Sequence, residues 1–280
     1  MQEAALNFAV EKEEEEYKMT KITLLRKEKN LDEISFIVRG INNRHANALR
    51  RSVSEISVLA IDTVEFIKND SALYDEFIAH RLGLIPLKTD KSFTLQEDCS
   101  CEGKGCLKCT ATLKFAVKGP CTVFSKELKS KSIEPVYEDI PIVILDKDQE
   151  LEIVATARLG KATEHAKFSP GLAWFRSLPI IEMGNLQICE NCSQNLPKNI
   201  LDFEDKKLLF EELSRKDLCK SCQEALKKGN KELKIFPSET DFIFTIESWG
   251  QIPAKEIFIE ACKVLEENLE KTSKDLEKSK

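Results

Sequence analysis

The sequence lacks the features of membrane and secreted proteins. None of its apolar runs approaches eighteen residues, so we expect no membrane-spanning helix. The acidic first sixteen residues contain neither a basic segment nor a long apolar one, so we expect no secretory signal and a cytoplasmic protein. In that reducing compartment the ten cysteines are not expected to form five disulfides.

Common catalytic motifs are missing as well. The pair Gly160–Lys161 has no glycine five residues before it and no Ser or Thr directly after it, which excludes a phosphate-binding P-loop. The histidines at 45, 80 and 165 lie far apart, and neither a zinc-protease helix nor a Gly-x-Ser-x-Gly motif is present. We therefore predict no catalytic residue in this chain, and we interpret its histidines as structural hydrogen-bonding residues.

A basic excess is also missing. The chain has 42 Lys and Arg against 48 Asp and Glu, a net charge of -6, and only 7% of its residues are aromatic. Proteins that bind DNA or RNA over a broad surface neutralise phosphates with a basic excess. We therefore expect no broad nucleic-acid surface, and we interpret the local basic segment 43–51 as a solvated face.

Cysteine, by contrast, is clustered. The first cluster, which we call the knuckle, places four thiols within eleven residues. Its two close pairs suit a tetrahedral ion, and Gly103 and Gly105 allow a tight turn that directs backbone amides at the thiolates. Because four thiolates leave no open coordination position, we predict a structural Zn²⁺ site. The ligands are Cys99, Cys101, Cys106 and Cys109.

The second cluster consists of two Cys-x-x-Cys pairs, Cys189/Cys192 and Cys219/Cys222. Two such pairs form a common four-cysteine metal site, and four thiolates also hold an iron–sulfur cluster. The closely packed cysteine run of bacterial ferredoxins is absent, so Zn²⁺ and [4Fe–4S] both stay open. A redox dithiol is less favoured, because no strand and helix of thioredoxin type frame either pair.

The apolar pattern predicts both strands and helices. Alternation of apolar and polar residues indicates strands, and apolar residues three or four apart indicate helices. The isolated Cys121 and Cys262 are predicted to be small buried residues. The predicted elements are strands on either side of a turn at 29–30, a helix over 41–56, a β-rich run over 58–70, a short helix ending near Gly83, strands within 94–159 with a buried run at 140–145, and strands at 178–184 and 241–250.

Residues 253–280 predict a long final helix with Pro253 in its first turn. One stripe of residues recurs at spacings of four, three, four, three and four. Such spacing is typical of a coiled-coil seam and narrower than most globular helix faces, so two interpretations stay open: a core-facing helix, or a seam that requires a partner helix. The stripe consists of Phe258, Cys262, Leu265, Leu269, Thr272 and Leu276.

Four segments resemble one known family. They are NALRRSVSEISVLAIDTVEF, LYDEFIAHRLGLIPL, GKATEHAKFSPGLAWF and DFIFTIESWGQIPAKEIF. They are similar, in order, to the D subunit of archaeal RNA polymerase, and the resemblance covers residues 17–275. Relatives of that family are the third-largest subunit of eukaryotic RNA polymerase II and the N-terminal domain of bacterial alpha.

The resemblance implies an α+β fold with a discontinuous dimerisation domain, formed by an antiparallel sheet with helices. A β-rich insert domain and a small cysteine-rich metal module interrupt it. The implied organisation is an acidic extension over 1–16, a dimerisation domain over 17–52, 173–187 and 234–280, an insert domain with the knuckle over 53–172, and the metal module over 188–233.

The resemblance also implies a non-catalytic scaffold for transcription. Members of the family form a heterodimer with the small L subunit, which is joined by the N and P subunits and then by the large B and A subunits, whose Mg²⁺ site transfers nucleotides. The implied large-subunit interface is Arg50, Arg51, His80 and Arg81. The implied dimer interface is Leu49, Val53, Phe258, Cys262, Leu265 and Leu269.

The resemblance also suggests which metals the two cysteine clusters hold. The knuckle lies where the eukaryotic relative carries its zinc loop. Many archaeal members hold a [3Fe–4S] or [4Fe–4S] cluster in a ferredoxin-like domain where residues 188–233 lie. Here two distant cysteine pairs replace the ferredoxin run, so the second metal stays open.

Two functions of other classes are alternatives to the scaffold. The first is a free-standing metal- or redox-sensing protein built on the two clusters. The second is a zinc-ribbon nucleic-acid binder, against which the net charge of -6 and the 7% of aromatic residues argue.

Overall fold

The chain has an α+β fold with antiparallel sheets, as predicted. The computed structural model describes residues 20–28, 32–90, 92–182, 219–229 and 234–278. The predicted extension 1–16, the turn at 29–30, Cys189 and Cys192 lie outside the described residues. The strands are β1 (Lys21–Glu28), β2 (Glu33–Arg39), β3 (Val58–Asn69), β4 (Thr110–Lys118), β5 (Cys121–Phe124), β6 (Pro141–Leu145), β7 (Glu150–Gly160), β8 (Gly171–Glu182) and β9 (Lys234–Ser248). The helices are α1 (Asn43–Ser52), α2 (Asp75–Gly83), α3 (Lys220–Gly229) and α4 (Ala254–Lys278).

A large core lies on a three-stranded antiparallel sheet of order β3-β7-β4. The registers place Ile153 of β7 opposite Phe66 of β3 and Phe115 of β4. Along β4, Ala111, Leu113 and Phe115 are buried while the residues between them are exposed. The predicted alternation within 94–159 is therefore confirmed in this strand, because successive side chains of a strand point to opposite faces.

The helix α2 and the hairpin of β5 and β6 complete this core. The helix packs on β3 and buries Ile78 and Leu82. In β6, Ile142 is buried, but Ile144 is 72% exposed. The predicted buried run at 140–145 is thus wrong at Pro141 and Ile144, which are exposed, although Val143 and Leu145, on the face of the strand opposite Ile144, are buried.

A second antiparallel sheet has the order β1-β2-β9-β8. Phe36 of β2 stacks on Phe244 of β9 with ring centroids 5.8 Å apart, and Phe175 of β8 lies 5.4 Å from the same ring. A separate apolar cluster joins Ile37, Leu178 and Ile243. Neighbouring residues of β9 are therefore buried on both of its faces, which removes the clean alternation of a half-exposed strand.

Two strands of this sheet begin earlier than predicted. The strand β8 begins at Gly171 rather than at 178, and β9 begins at Lys234 rather than at 241. A Cβ atom on Gly171 would overlap the carbonyl oxygen of Glu247, so glycine permits a close approach of the two backbones. Pairing between segments so distant in sequence leaves no local apolar pattern.

The final helix begins directly after Pro253, so this proline precedes the first turn instead of lying within it. The Pro253 carbonyl accepts the amide of Glu256 at 2.8 Å and that of Ile257 at 3.0 Å. The carboxylate of Asp32 accepts the amide of Ala254 at 3.1 Å. Asp32 therefore caps α4 from a distant part of the chain, because the first amides of a helix lack partners within the helix.

The described residues fall into two compact units. The first contains the stacked phenylalanines, and the second contains the knuckle, the sheet β3-β7-β4 and α4. The predicted domain bounds stay a prediction. Among the helices of the described ranges, none is both long enough and apolar enough to cross a membrane. The first unit comprises residues 20–23, 36–43, 175–182, 219–229 and 234–244, and the second comprises 24–28, 32–35, 44–90, 92–174 and 245–278.

Candidate metal centre and partner-facing residues

The knuckle is a tight loop that ends where β4 begins. Its chain passes through left-handed backbone conformations at Glu102, Gly103 and Gly105, with φ of 54°, 76° and 81°. Glycine adopts such conformations without the steric cost of a Cβ atom, so the two glycines allow the turn as predicted. The amide of Cys106 donates a hydrogen bond to Sγ of Cys109 at 3.2 Å, which directs a backbone dipole at this sulfur.

The four sulfur atoms of the knuckle lie around one point. The Sγ–Sγ distance is 3.6 Å for Cys99–Cys106 and for Cys101–Cys109, and all four sulfurs lie within 4.8 Å of one another. A tetrahedral zinc ion with Zn–S bonds of about 2.3 Å separates its sulfurs by about 3.8 Å. A [4Fe–4S] cluster holds each thiolate on a different iron, so its ligands lie farther apart. The spacing fits a single tetrahedral ion.

The thiols of the knuckle alter one another's protonation. Desolvation raises the pKa of the Cys101 thiol, but hydrogen bonds from Cys99, Cys109 and the amide of Gly105 outweigh it and lower that pKa to about 7. The amide of Cys106 lowers the pKa of Cys109, but desolvation and the neighbouring thiols raise it to about 12. A divalent cation at the centre would favour the thiolate form of all four, because metal binding releases the protons of its ligands.

The position of the knuckle suits a structural role. Cys99 and Cys109 are buried, and Cys101 and Cys106 are half-buried. Leu107, at the tip, is 94% exposed. The protein supplies all four ligands of a tetrahedral ion, so no position is left for a substrate. The arrangement can therefore fasten the loop to the start of β4 but offers no catalytic chemistry.

Only half of the second cluster lies in the described residues. Cys219 directly precedes α3 and is exposed, and Cys222 lies in the first turn of that helix and is buried. The amide of Gln223 donates to the Cys219 carbonyl at 3.0 Å. A helix therefore begins at this pair, while the prediction that no strand and helix of thioredoxin type together frame either pair stays a prediction. The four-cysteine site stays a prediction, since Cys189 and Cys192 lie outside the described residues.

The stripe on α4 does not coincide with the core-facing side of the helix. That side is formed by Ala254, Ile257 and Ala261, which are fully buried. Exposure increases along the stripe, so the core-facing interpretation fails for its C-terminal half. Cys262 and Cys121 are half-buried, not buried as predicted. In order, Phe258, Cys262 and Leu265 are half-buried, Thr272 is exposed, and Leu269 and Leu276 are each 63% exposed.

The predicted interface residues outside α4 lie on α1, α2 and the turn after α1. Leu49 is half-buried, and Val53 is 6% exposed, so Val53 offers little surface to a partner. For the predicted large-subunit interface, Arg51 and His80 are exposed on α1 and α2. Arg50 donates to the side chain of Asn47 at 3.1 Å and 3.2 Å, and Arg81 donates to the carbonyl of Pro141 at 2.6 Å. These interface assignments stay predictions.

A charge network that the sequence did not indicate surrounds Phe168. Asp62 accepts hydrogen bonds from Arg158 at 2.9 Å and from Lys167 at 2.8 Å. Both cations lie 5.0 Å from the centroid of the Phe168 ring, and Arg158 also pairs with Glu164 at 3.1 Å. Asp62 and Arg158 are 96 residues apart, so no local motif indicates the pairing.

The centre of the chain matches a known family. The sequence model of the family described as "RNA polymerase Rpb3/RpoA insert domain" matches residues 64–171. That segment begins within β3 and ends at the first residue of β8, so it includes the knuckle and the whole of β4 to β7. The match therefore assigns the region around the sheet β3-β7-β4 to an insert domain.

Similarity to whole proteins extends well beyond that segment. The chain is 34% identical over 255 residues to the DNA-directed RNA polymerase subunit Rpo3 of Methanosphaera stadtmanae, which covers 86% of this chain and 93% of that protein. It is 37% identical over 253 residues to Rpo3 of Methanothermobacter thermautotrophicus, covering 87% and 95%. It is 37% identical over 244 residues to Rpo3 of Thermococcus kodakarensis, covering 85% and 91%.

Proposed function

The chain belongs to the family of DNA-directed RNA polymerase subunit Rpo3, and on this premise we propose that it is the non-catalytic assembly platform of the polymerase. Its relatives are named as subunits of that enzyme, so the chain is one subunit of a multisubunit polymerase that makes RNA on a DNA template. Its part in the enzyme is to hold other subunits together. The expected compartment is the cytoplasm.

The observation that carries this proposal is that α4 is buried on one side and exposes large aliphatic residues on another. One side buries Ala254, Ile257 and Ala261 in the chain's own core, while Leu269 and Leu276 are each 63% exposed. Large aliphatic side chains in a row at the surface of a single protein mark an interaction surface. We assign the stripe to a helix of the small L subunit, because its spacing is that of a two-helix seam.

The contacts of α4 within this chain hold the stripe in place. The helix packs on the turn Val53–Glu55 that follows α1. The amide of Asn268 donates to the carboxylate of Glu55 at 2.9 Å. The cap from Asp32 fixes the other end. An incoming helix therefore meets a surface that is already ordered, which reduces the entropy lost on binding.

The remaining partners follow from the same platform. We assign four residues to the surface that receives the large B and A subunits: Arg51 and His80, which are exposed, and the neighbouring Arg50 and Arg81. The N and P subunits join the heterodimer before these large subunits. Arginine suits this role because its guanidinium group forms paired hydrogen bonds with carboxylates. The two helices that carry these residues are short and anchored, so the side chains reach outward from rigid elements.

We assign one Zn²⁺ ion to the knuckle, held by Cys99, Cys101, Cys106 and Cys109. Support comes from the 3.6 Å sulfur spacings and the absence of an open ligand position in the set. The ion would supply only structural cross-linking. The second cluster is proposed to hold its own metal, Zn²⁺ or an iron–sulfur cluster.

The experiment that tests the platform is a pull-down of the tagged chain with its polymerase subunits, comparing the wild type with Leu265→Asp. Burial of one leucine stabilises by roughly 1.5–3 kcal/mol, and an unpaired carboxylate in the seam costs more. Each 1.4 kcal/mol is about a tenfold change in affinity. Recovery of the L subunit should therefore fall by at least tenfold, and the large subunits should be lost with it.

The matched control is Lys263→Glu, on the exposed side of the same helix. It removes only a surface ion pair with Glu260, which contributes at most about 1 kcal/mol. This variant should assemble normally. A complete polymerase at normal yield with Leu265→Asp would refute the seam. A wild-type chain that purifies without any large subunit would instead favour the free-standing sensor.

A further inference from the structure

The described side chains of β1 are exposed to solvent on both faces of the strand. Every described residue from Lys21 to Lys27 is exposed. Ile22 and Leu24, which share one face by alternation, are 54% and 62% exposed, and Leu25, on the opposite face, is 40% exposed. Three large aliphatic residues within four positions are unusual for a strand whose described side chains are all exposed.

The strand also stands at the edge of its sheet. Among the strands that the structure describes, β2 alone adjoins it in the order β1-β2-β9-β8, so one row of its backbone amides and carbonyls faces away from the sheet. Eight residues are long enough for a full ladder of hydrogen bonds with another strand. Proteins usually shorten, bend or cover such an edge because it can pair with another chain. An edge of this length that carries exposed aliphatic residues favours β-strand addition.

The charges of β1 limit what can pair with it. The strand carries Lys21, Arg26 and Lys27 against Glu28 alone, a net charge of +2 within a chain whose total is -6. A second copy of the chain is disfavoured, because two identical strands bring equal positive charges together. In the antiparallel pairing centred on Leu24, Lys21 of one copy lies opposite Lys27 of the other, and like charges directly opposite are destabilising.

From these observations we infer that the outer edge of β1 receives an extended segment of another polymerase subunit, rich in alternating aliphatic and acidic residues. Its backbone continues the sheet beyond β1. Its aliphatic side chains cover Ile22 and Leu24 on one face and Leu25 on the other. Its carboxylates lie opposite Lys21 and Lys27, where cross-strand pairs of opposite charge stabilise the sheet. The inference rests on the chain's place in the polymerase, and it is independent of the α4 seam and of both metal sites.

The test is photo-crosslinking in the assembled polymerase, with p-benzoylphenylalanine replacing Thr23 in the middle of β1. The control position is Ile144, which is 72% exposed on β6. We expect a crosslink from position 23 to an extended, acidic and aliphatic segment of another subunit, at least fivefold above the control. No crosslink above the control, a crosslink only to a second copy of this chain, or one to nucleic acid would each overturn the inference.

Two further measurements guard against misfolding and against failure of the α4 seam. Hydrogen exchange of residues 21–28 should be at least tenfold slower in the polymerase than in the isolated chain, and equal rates would contradict strand addition. The double variant Lys21→Glu/Lys27→Glu should reduce the crosslink at least fivefold, whereas Lys131→Glu/Lys147→Glu should leave it unchanged. The L subunit is quantified in the same samples. A sample that lacks L but keeps the crosslink would count against the α4 seam and leave the inference about β1 intact.

Discussion

At the scale of single residues, the insert region contains two distinct sites, one formed by four cysteines and the other by charged side chains. The knuckle brings four sulfurs within 4.8 Å by means of two glycines with positive φ. A separate network joins Asp62, Arg158 and Lys167 around the ring of Phe168. The two sites differ in what acidification does to them: it protonates thiolate ligands in the first and a paired carboxylate in the second.

The substitution Cys106→Ser should remove one zinc ion per chain. A serine hydroxyl is a much poorer zinc ligand than a thiolate, so the remaining three sulfurs bind the ion weakly. Metal analysis of the purified chain measures the loss, and thermal unfolding should show a less stable insert region. The control is Cys121→Ser, outside both clusters, which should keep full zinc content. Equal zinc in wild type and Cys106→Ser would contradict the assignment.

Asp62 should make stability depend on pH. Desolvation raises the pKa of this carboxyl, but hydrogen bonds and charge from Lys167 and Arg158 outweigh it, so the folded-state pKa lies below the ordinary value. A depressed pKa contributes stability above the unfolded-state pKa of about 3.9, and this contribution is lost as the pH falls through the folded-state value. Asp62→Asn should therefore lower the free energy of unfolding at pH 7.

The measurement is urea unfolding of wild type and Asp62→Asn between pH 7 and pH 3. The difference between the two proteins should be at most about 1 kcal/mol at pH 7, as for other partly exposed ion pairs, and should shrink toward zero at the acid end. Asp139→Asn, in an exposed loop, serves as the control and should show no such trend. A difference that stays constant with pH would show that the network is not responsible.

At the scale of elements, α4 combines two functions on two faces. Its inner face packs Ala254, Ile257 and Ala261 against the chain's own core, and its outer stripe becomes more exposed toward the C-terminus. The strand β1 shows the same division, since one edge pairs with β2 and the other faces outward. Both elements are therefore anchored by this chain and leave aliphatic side chains exposed.

The cap from Asp32 should be needed for the stability of α4. Its carboxylate accepts the first amide of the helix, and its own φ is +43°, in the left-handed region. Asp32→Ala loses the acceptor and also strains the backbone, so it should cost about 1–2 kcal/mol of unfolding free energy. Asp32→Asn keeps an acceptor and tolerates the conformation, so its cost should be at most a few tenths.

Asp32→Gly separates the two contributions. Glycine relieves the backbone strain but lacks the cap, so its unfolding free energy, measured in urea, should lie between those of the Asn and Ala variants. If all three variants are equally stable, the hydrogen bond to Ala254 contributes nothing to folding. Circular dichroism at 222 nm then checks that the helix itself remains formed.

At the scale of the whole molecule, the chain is one subunit of a multisubunit enzyme, and its exposed aliphatic residues are spread over several elements. It belongs to the Rpo3 family along most of its length, and Leu24 on β1, Ile144 on β6 and Leu269 on α4 are 62%, 72% and 63% exposed. Under the proposed function, assembly should depend on several separate surfaces. Loss of one surface need not unfold the others, because each lies on an element anchored within this chain.

The second cysteine cluster should bind a metal independently of the knuckle. Purified without oxygen, the chain would be brown with a broad visible absorption band if the cluster holds iron and sulfide, and colourless with two zinc ions if it holds zinc. In either case Cys192→Ser/Cys222→Ser should lose that metal and keep the zinc of the knuckle. Equal total metal in the variant and the wild type would exclude both forms.

The sequence by itself was sufficient for the features that depend on near neighbours. Cysteine spacing predicted that the four thiols of the knuckle lie together, because four thiols within eleven residues can meet without help from the rest of the fold. Apolar periodicity predicted α1 and α4, because each repeats its pattern over its own length. A β-rich composition predicted β3, and stop signals near Gly83 predicted the end of α2. The family was recognisable for a related reason: its four motifs are continuous segments.

Only the tertiary structure decided which surfaces are covered. Periodicity could not separate the inner face of α4 from its outer stripe, and it placed Ile144 in the core although it is 72% exposed. The pairing of Asp62 with Arg158, the cap from Asp32 and the early start of β8 all join segments far apart in the chain. Such contacts form when distant elements pack together, and a local sequence pattern does not indicate which distant residue will be in contact.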